Sequence, residues 1–148
     1  KDRYFVTLQA SRYPPDVKTA LQYLQWVKSL RTLDLICARY HFNSDRVYGP
    51  VLRNTNLFKP FPIDFGLQEV AVIVYCRPSR EKIIENVYSG THLVGVREHV
   101  DKIIDGYDDL MLAIENRNLA KVLRFDYQEH DAVPFWRHVW SEAKESKK

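Results

Sequence analysis

The sequence predicts a mixed α/β fold in which short apolar strands alternate with helices. Three observations lead to this class. Apolar runs of strand length recur along the chain, helical periodicity follows most of them, and Pro or Gly separates the two kinds of segment. With 148 residues, 45% of them hydrophobic, the chain can form one full domain or two small ones. No apolar run reaches the roughly 20 residues of a membrane span.

The first 60 residues alternate between extended and helical patterns. Pro14-Pro15-Asp16 is typical of a helix start, and apolar residues then recur three and four positions apart, as on one buried helix face. The inward residues of this face are Val17, Ala20, Leu21, Leu24 and Val27. In order, we expect a strand at 3–10, this helix, a strand at 33–42, a turn at 43–50 and a further strand at 51–58.

The second half has a more regular rhythm, which favours a parallel sheet covered on both faces. Its first strand, 70–76, is apolar enough to be buried on both sides. In order, we then expect a helix from Pro78-Ser79 to Gly90, a short strand at 92–95, a helix at 96–106 closed by Gly106, a buried strand at 109–114 and a helix at 116–124. The tail after Pro134 predicts one amphipathic helix with Phe135, Trp136, Val139 and Trp140.

Most motifs that would indicate an enzyme are missing. The five glycines form neither a dinucleotide-binding turn nor a phosphate-binding loop, and no nucleophile elbow or zinc-protease motif is present. Two cysteines make no disulfide framework, which suits a reducing compartment. His92 and His99 are separated by a predicted strand and loop, so we expect no metal site and no cofactor.

One motif leaves an enzymatic alternative open. Cys76-Arg77-Pro78-Ser79 is a CxxS sequence between a predicted strand and a predicted helix. A helix N-terminus lowers the pKa of a nearby thiol, as in thiol–disulfide oxidoreductases that use a single cysteine. A second alternative is a non-catalytic interaction module whose aromatic tail docks onto a protein partner.

The charges are distributed unevenly along the chain. Residues 1–66 contain ten Lys and Arg against five Asp, a net charge of +5, whereas residues 67–148 contain twelve against fourteen, a net charge of −2. The positive half is also rich in Tyr, Phe and Asn. This combination suits a surface that contacts a phosphate backbone.

Three segments of the second half, "FPIDFGLQEVAVIVY", "SGTHLVGVREHVDKIIDGYDDLMLAI" and "NRNLAKVLR", follow one another along the chain. In their order they resemble the entry to the inserted domain, and the blocks that follow it, of the ribosomal protein L-one family, which builds the mobile stalk of the large ribosomal subunit. Upstream, "ALQYLQWVKSLRTLDLICARYHFN" and "SDRVYGPVLRN" resemble a helix–strand unit and a loop of the RNA-binding domain. The resemblance covers residues 15–124.

The resemblance implies a two-lobed α/β protein. A basic α+β RNA-binding domain would comprise residues 1–60 plus 125–148, and a Rossmann-like βαβ domain would be inserted at 61–124. The 24 residues after Arg124 do not match the family, so the first domain would be truncated there or rebuilt by the tail. Such drift is typical of mitochondrial ribosomal proteins, which implies a mitochondrial matrix location, with a cytoplasmic one as the alternative.

The resemblance also implies a function without catalysis. The chain would be a structural constituent of the large ribosomal subunit, bound to stalk rRNA near the tRNA exit site. Its partners would be this rRNA, tRNA in the exit site and other ribosomal proteins, without a membrane. The expected RNA-binding residues are Arg39, His41, Ser44, Asp45, Arg46, Arg53 and Lys59, with Asp45 orienting Arg46 rather than touching RNA.

Overall fold

The protein is a mixed α/β chain that divides into two compact units, Lys1–Glu69 and Val70–Lys148. The computed structural model describes residues 6–9, 16–30, 35–38, 41–67, 70–91 and 94–145. Among these residues, no helix is both long enough and apolar enough to cross a membrane.

The first unit pairs two parallel strands, with a helix between them in the chain. Strand β1 pairs with β2, with Val6 opposite Leu35. Helix α1 begins after Asp16, whose Oδ1 accepts a 2.7 Å hydrogen bond from the Thr19 N–H and so caps the helix. The elements are β1 (Val6–Gln9), α1 (Val17–Ser29), β2 (Leu35–Ala38), α2 (His41–Tyr48), a π-helical turn (Gly49–Arg53) and α3 (Ile63–Leu67).

The core of the first unit is largely aromatic. Leu24 of α1 packs with Phe42 and Phe58, whose ring centroids are 4.9 Å apart. Leu57, Phe61 and Phe65 cover this cluster. Helix α3 lies so close to it that a Cβ atom on Gly66 would be 2.3 Å from the Phe42 ring. Glycine at this position therefore permits the close approach of α3 to the core.

The second unit also contains a parallel pair of strands. Strand β3 pairs with β4, with Val72 opposite Lys121, and two helices connect them. Ser79 caps α4 by accepting a 3.2 Å hydrogen bond from the Lys82 N–H. The elements are β3 (Val72–Cys76), α4 (Arg80–Ser89), α5 (Val100–Asn116), β4 (Lys121–Phe125) and α6 (Ala132–Glu145).

The structure confirms several predicted elements. The strands at Val6–Gln9, Leu35–Ala38 and Val72–Cys76 are present, and helices α1 and α4 lie where the pattern placed them. Helix α6 is also present, but it starts at Ala132 and so includes Pro134, after which the sequence predicted it to begin. Within the predicted inner face of α1, Leu24 is buried, but Val17 is 37% exposed. The rest of the strand predicted at 3–10 lies outside the described residues.

Two predictions in the first unit are wrong. Residues 43–50, expected to be a turn, lie in α2 and the first part of the π-helical turn, and residues 51–58, expected to be a strand, continue that turn and form a loop. Helix α2 also includes His41 and Phe42, the last two residues of the strand predicted at 33–42. The short polar side chains of 43–45 indicated a turn, yet all three are buried within the helix.

The predictions for residues 96–124 contain the largest errors. Helix α5 starts at Val100, passes through Gly106 and ends at Asn116, so the strand predicted at 109–114 is helical. Residues 121–124, predicted to be helical, belong to β4. Residues 94–95, predicted to end a short strand, lie in turns, and residues 92–93 lie outside the described part.

Because helix α5 replaces the third predicted strand, β3 is less buried than the sequence indicated. In the described residues the sheet of the second unit has two strands, and Val72–Tyr75 are only half-buried. Helix α6 packs against β3 and β4 through its buried Val139. The contacts of α6 therefore lie in the second unit, whereas the sequence assigned residues 125–148 to the first domain.

Candidate nucleic-acid interface

The predicted RNA-binding residues that the structure describes lie between positions 41 and 59, in the first unit. Ser44, Asp45 and Arg46 are consecutive in α2, Arg53 ends the π-helical turn, and Lys59 lies in the loop that leads to α3. His41 is the first residue of α2, with a side chain outside the described part, and Arg39 lies outside the described residues. Ser44 is buried, while Arg53 and Lys59 are exposed.

Asp45 is the buried centre of this region. Its side chain is 0% exposed, and its Oδ1 accepts a 2.5 Å hydrogen bond from Arg53 Nη2. Its Oδ2 accepts a 2.9 Å hydrogen bond from the Leu57 N–H. A Cβ atom on Gly49 would come 3.1 Å from Asp45 Oδ1 and 2.3 Å from the carbonyl oxygen of Thr55. Asp45 thus ties the π-helical turn to the loop that follows it.

Arg46 fixes the other end of the same loop. Its Nη2 donates hydrogen bonds to the carbonyl oxygens of Phe58, at 3.2 Å, and Phe61, at 2.5 Å. Its guanidinium lies 4.5 Å from the centroid of the Phe42 ring, within the range of a cation–π contact. Partial burial lowers the pKa of Arg46, and the nearby charge of Asp45 opposes this shift. Arg46 therefore supports the fold of the loop from within.

These contacts change the roles predicted for two residues. Asp45 was expected to orient Arg46, but the hydrogen bonds of its carboxylate join Arg53 and the Leu57 backbone. Arg46 instead holds two backbone carbonyls. Residues 53–61, here called the basic loop, are thus held by side chains of α2 at Arg53, Leu57, Phe58 and Phe61. The basic groups that remain exposed there are those of Arg53 and Lys59.

The CxxS motif lies between the end of β3 and the N-terminus of α4. Cys76 is exposed at the end of β3, and partial desolvation raises the pKa of its thiol, with a smaller contribution from the charge of Asp126. Ser79 is engaged as the cap of α4. A reactive thiol requires a lowered pKa, so the shift of Cys76 is in the opposite direction.

The sequence analysis missed an ion-pair cluster at the end of β3. Arg77 binds Asp108 through two hydrogen bonds of 2.9 Å, and the Tyr75 hydroxyl donates a third to Asp108, also at 2.9 Å. The Arg77 bonds, followed by the Tyr75 bond, hold the pKa of Asp108 below its ordinary value. Nearby, Arg80 pairs with both Asp101 and Asp105. The helical periodicity of α5 could have predicted the spacing of Asp101, Asp105 and Asp108. It could not have predicted which arginines they bind.

This cluster neutralises the arginines that follow β3. Arg77 and Arg80 are both paired with carboxylates of α5, so they serve the packing of the second unit rather than a free cationic surface. In the described part of the chain, no three His, Cys, Asp or Glu side chains are grouped so that they could hold a metal ion.

Comparison with known proteins yields no relative. No family model matches the chain, and neither a curated protein nor a solved structure matches it. Its function is therefore inferred from its own residues: the order of the sequence segments, the charge distribution and the geometry of the basic loop.

Proposed function

We propose that this chain is a structural, non-catalytic protein of the large ribosomal subunit that binds stalk rRNA near the tRNA exit site. The observation that carries the proposal is the ordered resemblance of residues 15–124 to the ribosomal protein L-one family. The net charge of +5 in residues 1–66 supports it, because phosphate contacts dominate the affinity of proteins for nucleic acids.

The finer parts of the proposal follow from the same resemblance. The two units would correspond to an α+β RNA-binding lobe and an inserted Rossmann-like lobe. Other ribosomal proteins and exit-site tRNA are the proposed further partners. The proposed location is the mitochondrial matrix, with the cytoplasm as the alternative.

The geometry separates the candidate residues into two groups. Arg53 and Lys59 are exposed at the basic loop and would contact phosphates, while Asp45 and Arg46 would keep the loop in shape. A loop that is already ordered loses less conformational entropy when it binds RNA. Arg53 would have both roles, phosphate contact and support of the loop, because its side chain is exposed and also forms an ion pair with Asp45.

Co-sedimentation of the full chain with large ribosomal subunits from its own source tests the proposal. We expect binding at low salt that weakens as the salt concentration rises, because phosphate contacts release counterions. Lys59→Glu should weaken binding and reduce the slope of log affinity against log salt concentration by about one. The matched control is Lys102→Glu, which reverses the charge of an exposed lysine in α5 and should leave binding unchanged.

Two outcomes would contradict the proposal. Absence of binding at low salt would remove the ribosomal assignment. Equal weakening by Lys59→Glu and Lys102→Glu would show that overall charge, rather than the basic loop, determines the association. Arg46→Glu is a poor probe of contact, since it would break the two backbone hydrogen bonds that shape the loop.

A further inference from the structure

Helix α1 has a polar side that carries one exposed indole ring. Leu24, on the side of the helix that faces the core, is buried against Phe42 and Phe58. The opposite side is exposed over about 100° of the helix circumference, at 3.6 residues per turn. Its exposed residues, here called the α1 outer face, are Lys18, Gln22, Gln25, Trp26 and Ser29.

Trp26 is the largest side chain of the α1 outer face, and it is 50% exposed. The centroid of the Tyr23 ring lies 6.3 Å from that of Trp26, but the two planes are inclined by 48°, so the rings do not stack. The Ser29 hydroxyl donates a 2.7 Å hydrogen bond to the Trp26 carbonyl oxygen and so supports the last turn of the helix. A regular helix therefore presents a wide aromatic surface that a planar partner can cover.

The charges of α1 suit an anionic partner. The helix contains no Asp or Glu, and Asp16, which precedes it, is engaged as its cap. Lys18 lies in the first turn, where the helix dipole disfavours a cation. A residue that opposes the local preference in this way is typical of a functional surface. The net charge of +5 in residues 1–66 adds to the attraction for an anion.

The composition of the α1 outer face favours a nucleic acid over a protein or a membrane. Lysine and serine are depleted at the buried centres of protein interfaces. A bilayer requires a continuous apolar face, whereas Trp26 is the one large apolar side chain of this face. Proteins that bind single-stranded nucleic acids combine cations for the backbone with aromatic rings for stacked bases. Glutamine amides add donors and acceptors for the exposed edges of unpaired bases.

We propose that the α1 outer face binds a single-stranded segment of RNA, with an unpaired base stacked on Trp26. The amides of Gln22 and Gln25 then hydrogen-bond to base edges, and Lys18 contacts a phosphate of the same strand. Lys18 and Trp26 are eight positions apart, about 12 Å along the helix, so a strand of a few nucleotides reaches both. This contact rests on the proposed function, RNA binding by the first unit, and names the class of RNA that the unit binds.

Tryptophan fluorescence of the full chain tests the stacking directly. A Trp136→Phe, Trp140→Phe background leaves Trp26 as the sole tryptophan. We expect an unstructured RNA of about 12 nucleotides to quench its emission at low salt, because a base covers the indole ring. A fully paired RNA hairpin of equal charge should quench it much less, since its bases are already stacked on one another. Equal quenching by the two RNAs would overturn the proposal.

Anisotropy of the labelled single strand measures the Kd of each variant. Trp26→Ala should raise the Kd at least about fivefold without changing its salt dependence, because a stacking contact is lost and no phosphate contact is. Trp26→Phe keeps an aromatic ring and should retain most of the affinity. Lys18→Gln should reduce the slope of log affinity against log salt concentration by about 0.7. The matched control is Trp136→Ala, which removes an indole that is 46% exposed in the second unit and should leave the Kd unchanged.

Circular dichroism should show the same helix content in every variant, because Lys18, Trp26 and Trp136 are exposed. An unchanged Kd in Trp26→Ala would overturn this contact alone if binding to large ribosomal subunits is still weakened by Lys59→Glu. Weaker subunit binding by Trp26→Ala with unchanged affinity for the single strand would also overturn it, and would assign the α1 outer face to a protein neighbour. A chain that binds neither the strand nor the subunit would overturn both this contact and the proposed function.

Discussion

Replacing Asp45 should strongly destabilise the first unit. Asp45→Ala removes a buried carboxylate that accepts hydrogen bonds from Arg53 and from the Leu57 N–H. Loss of the acceptor for a part-buried N–H costs about 2 kcal/mol. Arg53 is 33% exposed and can return to water, so loss of its ion pair adds only about 1 kcal/mol. We therefore expect the free energy of unfolding to fall by about 3 kcal/mol.

Asp45→Asn separates the two contributions. The amide oxygen can still accept the hydrogen bond from the Leu57 N–H, whereas the charge that pairs with Arg53 is lost. The expected cost of this variant is about 1 kcal/mol. Lys59→Ala is the control in the same loop, and it should change stability by less than about 0.5 kcal/mol because Lys59 is exposed.

Urea denaturation followed by tryptophan fluorescence can report the first unit alone. Trp26 is the one tryptophan of Lys1–Glu69, so a Trp136→Phe, Trp140→Phe background removes the signal of the second unit. If Asp45→Ala lowers the unfolding free energy by less than about 1 kcal/mol in this background, Asp45 does not hold the basic loop as described. Equal losses for the alanine and asparagine variants would assign the whole effect to the ion pair.

Three further predictions concern the second unit. Cys76 should react with a thiol reagent at neutral pH no faster than free cysteine, because its pKa is raised; faster reaction would support the oxidoreductase alternative. The pKa of Asp108 is lowered in the folded state, so its contribution to stability is present above the unfolded value of 3.8 and is lost as the pH falls through the folded value. The loss of stability between pH 5 and pH 2 (approximate limits) should be smaller in Asp108→Asn, and an equal loss in urea titrations would refute this role. Gly106→Ala should stabilise the unit by about 0.5–1 kcal/mol because α5 continues through this position, and a lower thermal midpoint would contradict that helix.

The elements that the sequence predicts correctly are those with local signals. Asp16 and Ser79 cap helices that periodicity also indicates, and both caps are present. The segment 109–114 was mistaken for a strand because a short apolar run has the same composition in a buried helix and in a strand. Its true state depends on the inner face of α5, where Ile103, Ile104 and Met111 are buried together.

Only the location of the candidate site could be predicted from the sequence, not the contacts within it. Basic and polar residues near the basic loop are visible in the sequence, but their partners are not. Asp45 binds Arg53 and the Leu57 backbone, which follow it by eight and twelve positions across the π-helical turn, and no sequence pattern specifies these contacts. Likewise, Arg77 and Asp108 are 31 positions apart, and only the packing of β3 and α5 brings them together.

The parallel pairing of β3 with β4 has a consequence for synthesis of the chain. The strands are separated by residues 77–120, so a nascent chain that ends at Asn116 contains α4 and α5 while β3 still lacks its hydrogen-bonding partner. Helix α6, which packs on both strands, emerges later still. Because translation proceeds from the N-terminus, the second unit can complete its sheet only after Phe125 at the end of β4 has left the ribosome.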